Sequence, residues 1–403
     1  MRVAVDCTGI VPNTSAGVEN YAYRVVEAMT AIGEEHSFDL LVPRGTKERW
    51  SEHVVGRGNV RIHELLVPAA LRARLDGGGV NGSSFGRLVS VVRQLGPVRD
   101  IGLQWKARSR QRAIESLAPD VVYAPTHLGG CPDWPAVVTV HDLRPLSERF
   151  ADRRLARILA SVARRADAIV TSWDHPRSEL LRSFPWVEPK LRVIPHPPML
   201  GHEEGIAERR DSPYLLYPAG TAPHKNHQRL VRAFAEVRGT RDVRLVCTGP
   251  PLEPGFTELR KLVHEMSFAG SVELTGFVSE ERLKALYRGA AAVVVPSQWE
   301  AASGPILEAV AYGKPVACSL IPPIKQQVER EGIRVAFFDP LDISSIAGAI
   351  IEVLDHPERY QRLREGQRSS ALLRTWDDVA HDYLSILGHV AAAARAKAVP
   401  VQR

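Results

Sequence analysis

Short apolar runs alternate with amphipathic stretches from one end of the chain to the other, and this alternation limits the fold more than any other feature. "RVAVDC" precedes "GVENYAYRVVEAMTAIG", where Val18, Tyr21, Val25, Met29 and Ile32 recur at helical spacing and Gly33 offers a stop. "FDLLVP", "VRIHELLV", "DVVYAP", "AVVTVHD", "AIVTSW" and "LRVIPHP" read as further strands, and "RRLARILASVARRAD" fits as a helix between two of them. Strands that are apolar throughout, separated by helical patterns, predict βαβ units and parallel sheets.

The pattern pauses at "IPHPPMLGHEEGIAERRDSP", whose prolines, glycines and charges read as a linker. It restarts with "YLLYPAG", "VRLVCTG", "VELTGF", "AAVVVPS", "KPVACS" and "VAFFDP". A chain of 403 residues suits two domains of about 200 residues each. The expected division is a doubly wound domain over residues 1–198, a second over 212–375, and an amphipathic tail over 376–396. No strand follows the tail, so it is free to pack across the junction. Open sheets of this class bind ligands at the carboxyl ends of their strands, and two that face each other form a cleft.

Composition narrows the function classes. Hydrophobic residues make up 44% and charged residues 24%, an ordinary globular balance without an apolar run of about 20 residues to span a bilayer. The N-terminus "MRVAVDCTGIVPN" reads as a first strand rather than a signal peptide, so a cytoplasmic location is expected. Cys7, Cys131, Cys247 and Cys318 form no C-x-x-C pair and read as buried, reduced thiols. The net charge of +6 comes from basic residues, mostly arginines, spread among acids without aromatic interleaving. That argues against nucleic acid and favours phosphate-bearing ligands or an anionic membrane surface as partners.

One stretch breaks the regularity. Leu75 to Arg112 opens with a cluster of glycines and serines and then mixes Arg87, Arg93, Arg99, Lys106, Arg108, Arg110 and Arg112 with apolar residues and Trp105. A surface excursion over its own domain is the structural expectation. Contact with a lipid or a lipid-linked acceptor, peripheral to the inner membrane face, is the functional alternative.

Two elements carry chemistry. "YPAGTAPHKNHQRLVRAF" places Gly220 and Thr221 at a strand end, then His224, Lys225 and Asn226 just before a helix. Unpaired amides, the helix dipole and a cation together suit an anion. "PSQWEAASGPILEAVAYGKPVACS" sets Glu300 and Glu308 around a small-residue loop and a helix start, where Ser303, Gly304 and Pro305 can open the helix. Each feature taken singly is weak, because a surface lysine before a helix and an exposed glutamate are both common.

Together the elements resemble the retaining GT-B glycosyltransferases of family four, the group that includes bacterial mannosyltransferases and sucrose synthase-like enzymes. The resemblance covers nearly the whole chain and is strongest from Tyr217 to Pro340. It rests on G-x-x-x-x-K-N as Gly220, Lys225 and Asn226, on "GFVSEERLKALYRGA", and on glutamates separated by seven residues as Glu300 and Glu308. In the first half, "SAGVENYAYRVVEAM" resembles the family's glycine loop with its helix, and "TVHDLRPL" its His-Asp-Leu segment.

The resemblance implies a GT-B fold of two Rossmann-like domains facing a central cleft, with a C-terminal helix crossing back to the first domain. It implies that Glu308 accepts hydrogen bonds from the ribose hydroxyls of a nucleotide sugar, that Glu300 lies near the transferred sugar, and that His141 reaches that sugar near its reacting carbon. Gly17, Gly220, Thr221, His224, Asn226 and the segment Ser303, Gly304, Pro305, Ile306, Leu307 complete the donor set, with Lys225 on the diphosphate.

No cofactor beyond the nucleotide-sugar co-substrate is expected. The chain has no D-x-D element, so charge stabilisation by Lys225 and backbone dipoles in place of a metal is the expectation. Donor reading starts from GDP-mannose, with a saccharide or lipid-linked saccharide as acceptor. The alternatives are a UDP-sugar enzyme acting on a small natural product, and a scaffold subunit with weakened chemistry. Three departures from the family pattern bear on donor handling: "EAASGPI" lacks an aromatic residue, His224 stands where an arginine is common, and Gly17 stands alone rather than as a pair.

Overall fold

All of the apolar runs become parallel strands. The computed structural model describes residues 1–10, 16–65, 96–141, 143–146, 152–201, 204–266, 270–360 and 370–398. Its first sheet contains β1 (Arg2–Asp6), β2 (Ser37–Pro43), β3 (Val60–Leu65), β4 (Val121–Ala124), β5 (Ala136–Thr139), β6 (Ala168–Thr171) and β7 (Leu191–Val193), in the order β3-β2-β1-β4-β5-β6-β7. The second contains β8 (Tyr214–Pro218), β9 (Arg244–Thr248), β10 (Val272–Gly276), β11 (Ala292–Val295), β12 (Val316–Ser319) and β13 (Ala336–Phe338), in the order β10-β9-β8-β11-β12-β13. In each sheet the order reverses beside the first strand. The loops after β1 and β4, and after β8 and β11, therefore diverge and leave a crevice at the carboxyl ends.

Burial explains why the strands were easy to read. Every residue of β4, β5, β6, β11 and β12 is buried, because helices cover both faces of a doubly wound sheet. Full burial of a Val, Leu or Ile side chain is worth about 1.5–3 kcal/mol, so such runs pin the sheet. The helix Ala16–Ile32 buries Tyr21, Val25 and Met29 along one stripe, and Gly33 follows it as expected.

The chain divides into two compact units. The first comprises Met1–Ser172, Pro176–Pro195 and Thr375–Arg403, and the second comprises Trp173–His175 and His196–Arg374. The tail forms the helix Trp376–Ala398 and packs on the first unit. There the Tyr383 hydroxyl lies 2.7 Å from both the Tyr21 hydroxyl and Thr139 Oγ1, all three groups buried. The linker-like stretch is anchored rather than loose: Arg210 pairs with Glu208 at 2.6 Å and with Glu273, while Arg282 reaches the same two carboxylates.

The four cysteines are buried and unpaired, and burial alone pushes the Cys247 thiol up to about 12. Among the described residues no helix is long and apolar enough to cross a membrane.

The irregular stretch is corrected in part. Its opening cluster of glycines and serines, Arg87 and Arg93 lie outside the described residues, but Gly96–Leu117 forms a helix. Within it Arg108 and Arg112 are exposed, whereas Arg110 is buried and its guanidinium meets Asp6 Oδ2 at 3.2 Å and the Gly129 carbonyl. Arg110 and Ile114 sit one turn apart on the buried face. Arg110 therefore does not belong to an exposed basic set.

Candidate active site

Two loops meet at the crevice of the second sheet. After β8 the chain runs through Ala219 to Ala222, makes a tight turn over Pro223–Lys225, and enters the helix His227–Arg238. After β11 it runs from Pro296 to Ser303 and enters the helix Gly304–Ala311. β8 and β11 pair as neighbours, so residues leaving their ends are brought side by side.

The Lys225 Nζ lies 2.6 Å from Glu300 Oε1, and the two side chains are 24% and 10% exposed. Each is the other's counterion in a partly desolvated setting, where such a bond is stronger than in water. Lys225 is placed by its own backbone. Its N–H donates to Ala222 O at 2.9 Å, and its carbonyl accepts from the Tyr217 hydroxyl at 2.8 Å.

Asn226 does the rest of the placing. It adopts φ 62° and ψ 28°, a left-handed conformation that asparagine tolerates better than most residues. Its amide donates to Pro296 O at 2.9 Å and Pro340 O at 2.7 Å, and its oxygen accepts from Gln298 Nε2 at 2.8 Å and Arg229 Nη1 at 3.1 Å. Those four bonds use the full capacity of the side chain. Asn226 thus ties the Lys225 turn to the ends of β11 and β13, while Gln298 N–H donates to the carbonyl of half-buried His224 at 2.8 Å.

Gly220 and Thr221 lock this loop to the one after β9. A Cβ on Gly220 would lie 3.2 Å from Pro250 O, so the close approach favours glycine. Thr221 Oγ1 donates to Leu252 O at 2.9 Å and accepts from Leu252 N–H at 2.7 Å. Its hydroxyl holds the loop together.

The second loop ends in a clamp that the sequence did not reveal. Buried Gln327 accepts from Ser303 N–H at 2.8 Å and donates to Ser303 O at 3.2 Å, fixing the peptide at the helix start. Pro305 brings no N–H, and the first-turn amides of Gly304 and Ile306 have no helical carbonyl to donate to. The Ile306 and Leu307 side chains are wholly buried in the core, so only their backbone is left for a ligand.

Glu308, in the second turn, is buried, and the Tyr287 hydroxyl donates to its Oε2 at 2.6 Å. Burial pushes its carboxyl up to about 7, with Tyr287 pulling down and Glu280 pushing up. Keeping an ionised carboxylate buried there costs the fold stability.

In the first unit, His141 follows β5 and is half-buried; its Nε2–H donates to Pro125 O at 2.9 Å, and its ring meets the Tyr21 ring edge-on at 4.5 Å. Gly17 is exposed in the first turn of its helix, with open space where a Cβ would be. Sequence reasoning passed over Asp6, which is buried at the end of β1 and accepts from Thr8 N–H at 3.1 Å and Thr8 Oγ1 at 2.6 Å besides pairing with Arg110. A carboxylate closing an apolar strand was the available signal.

Residues 202–370, which include Lys225, Glu300 and Glu308, match the family Glycosyl transferases group 1. The chain is 28% identical over 231 residues to the MMP alpha-(1->4)-mannosyltransferase of Mycolicibacterium hassiacum, spanning 56% of this chain and 54% of that protein. It is 24% identical over 329 residues to the alpha-D-kanosaminyltransferase of Streptomyces kanamyceticus, spanning 76% of this chain and 83% of that one. The mannosyltransferase alignment thus covers about half of that relative's length. Among solved structures, the sucrose-phosphate synthase from Thermosynechococcus elongatus has the same fold, with a TM-score of 0.64 at 17% identity over 98% of both chains. This likeness and the two parallel sheets show the GT-B fold, with its two Rossmann-like units.

Proposed function

We propose that the protein is a retaining glycosyltransferase that moves a hexose from a nucleotide sugar, foremost mannose from GDP-mannose, to a saccharide or lipid-linked saccharide. The Lys225–Glu300 pair at the crevice of the group 1 domain carries this reading. As the nucleoside diphosphate departs, negative charge grows on its phosphate. The Lys225 ammonium and the first-turn amides of Gly304 and Ile306 are groups suited to that charge without a metal. Glu308 would accept from the ribose hydroxyls, and Glu300 would face the sugar. His141 and Gly17 keep the roles on sugar and diphosphate that the resemblance implies. The acceptor oxygen attacks the anomeric carbon from the face the diphosphate leaves, and its proton passes to the leaving phosphate oxygen.

Identity to a mannosyltransferase supports the donor sugar. The longer alignment with the kanosaminyltransferase, named for a different sugar, supports a second reading in which the donor is not GDP-mannose; we take this as UDP-sugar-dependent transfer to a small natural product. Incubation of the purified protein with GDP-, UDP- and dTDP-sugars, with and without EDTA, separates them. Release of GDP from GDP-mannose, unaffected by EDTA and with retained anomeric configuration by NMR, is the expected result. Release from UDP-sugars alone selects the second reading, restoration by magnesium after EDTA overturns metal independence, and no release from any donor leaves a scaffold subunit.

A further inference from the structure

We infer that Tyr287 is a positioning residue for donor binding: its hydroxyl holds one oxygen of Glu308 so that the other is presented to the nucleotide, and Tyr312 holds Tyr287 in turn. This inference rests on the donor-binding role proposed for Glu308.

The geometry is specific. Tyr287 lies in the helix Glu280–Gly289, is wholly buried, and shares a core with Ile306 and Leu307 of the helix that bears Glu308. Its hydroxyl has one hydrogen-bond partner among the described residues, Glu308 Oε2 at 2.6 Å, the short distance of a charge-assisted bond. Glu308 Oε1 has no hydrogen-bond partner among the described residues. A buried hydroxyl without an acceptor is costly, so the tyrosine and the carboxylate specify each other's position.

The alternative placement of the carboxylate is close by. Glu308 stands one turn beyond the first-turn amides of Gly304 and Ile306, whose partial positive charge attracts any nearby carboxylate. A glutamate side chain rotates about three bonds and would satisfy those amides itself, withdrawing both from the donor. The bond from Tyr287 opposes that collapse. Tyr312 stacks on Tyr287 with ring centroids 5.5 Å apart and 14° between planes, and its own hydroxyl donates to Gly201 O at 2.9 Å. The Arg288 guanidinium lies 5.8 Å from the Tyr312 ring centre. Tyr287 is therefore braced by a ring that is itself tethered.

The test uses the full chain, with steady-state kinetics in the nucleotide sugar that supports turnover. Tyr287→Phe keeps the ring and removes only the donor; KM for the nucleotide sugar should rise roughly tenfold, the usual size for a lost bond to a charged group, with kcat nearly unchanged. Glu308→Gln should also raise KM, and adding Tyr287→Phe to it should cost nothing further, since the two residues act as one unit. If Glu308→Gln leaves KM at the parent value, the donor-site reading of Glu308 fails. If Glu308→Gln raises KM but Tyr287→Phe does not, or the two losses add in full, the positioning inference is overturned. Tyr312→Phe covers the case in which Tyr287→Phe does not fold. It should raise KM with kcat unchanged in the parent and have no effect beside Glu308→Gln; an unchanged KM in the parent overturns the inference equally.

Discussion

Lys225 and Glu300, 75 positions apart in the chain, meet at 2.6 Å where the loops after β8 and β11 converge. The pair joins the two loops of the sheet crevice by charge as well as by backbone contact. Glu300 holds the ammonium in place, and in the function proposed above the donor diphosphate would add its own charge to the same group.

Lys225→Met should therefore lower turnover roughly a hundredfold or more, the usual effect of removing one stabiliser of a developing anion. Donor KM should change far less. Initial-rate kinetics on the active donor will show this, and an unaltered kcat would remove Lys225 from the transfer step.

Glu308 should make both stability and binding depend on pH. Its folded value of about 7 stands above the ordinary 4.5, so the folded chain holds that proton more tightly. The stabilisation from the protonated form is complete below about 4.5 and is lost as pH rises through about 7. Relative to Glu308→Gln, the parent should lose on the order of 3 kcal/mol across that window, read from urea midpoints at each pH. Donor affinity should move the opposite way, weakening as pH falls below about 7, because protonation removes an acceptor oxygen.

Asn226→Ala should destabilise the second unit by about 2–4 kcal/mol, since it strands the carbonyls of Pro296 and Pro340 and leaves in the left-handed conformation a residue that tolerates it less well than asparagine. Asn226→Gly should recover the conformational part only. Chemical denaturation of both variants will distinguish them, and equal losses would show that the four hydrogen bonds account for the whole effect.

Arg110 and Arg108 offer a contrast two residues apart. Arg110→Met leaves Asp6 buried without its partner and should cost about 3–5 kcal/mol. Exposed Arg108→Ser should stay within about 0.5 kcal/mol. Thermal melts of the two variants are the measurement. A harmless Arg110→Met would return that residue to the set of candidate acceptor contacts.

Much of this molecule was legible one segment at a time. Runs such as "AVVTV" and "AAVVV" declare strands because a strand covered on both faces must be apolar at every position, and that property is local. The paired glutamates and the Gly220–Lys225–Asn226 element were visible because their spacing is local too. Other features depend on which distant residue comes alongside. The amide of Asn226 is used entirely on carbonyls and side chains that the fold brings to it, Ile306 and Leu307 are turned into the core, and Gln327 reaches Ser303 from the next helix. Arg110 reads as a solvated charge until β1 delivers Asp6 to the same place, and Tyr287 reads as one more apolar residue of a stripe until Glu308 is packed against it. The sequence by itself determined the elements, through hydrophobic burial that each short segment can satisfy alone. Only the tertiary structure decided the polar pairings, because a hydrogen bond needs its partner within about 3 Å and no local pattern records which partner that will be.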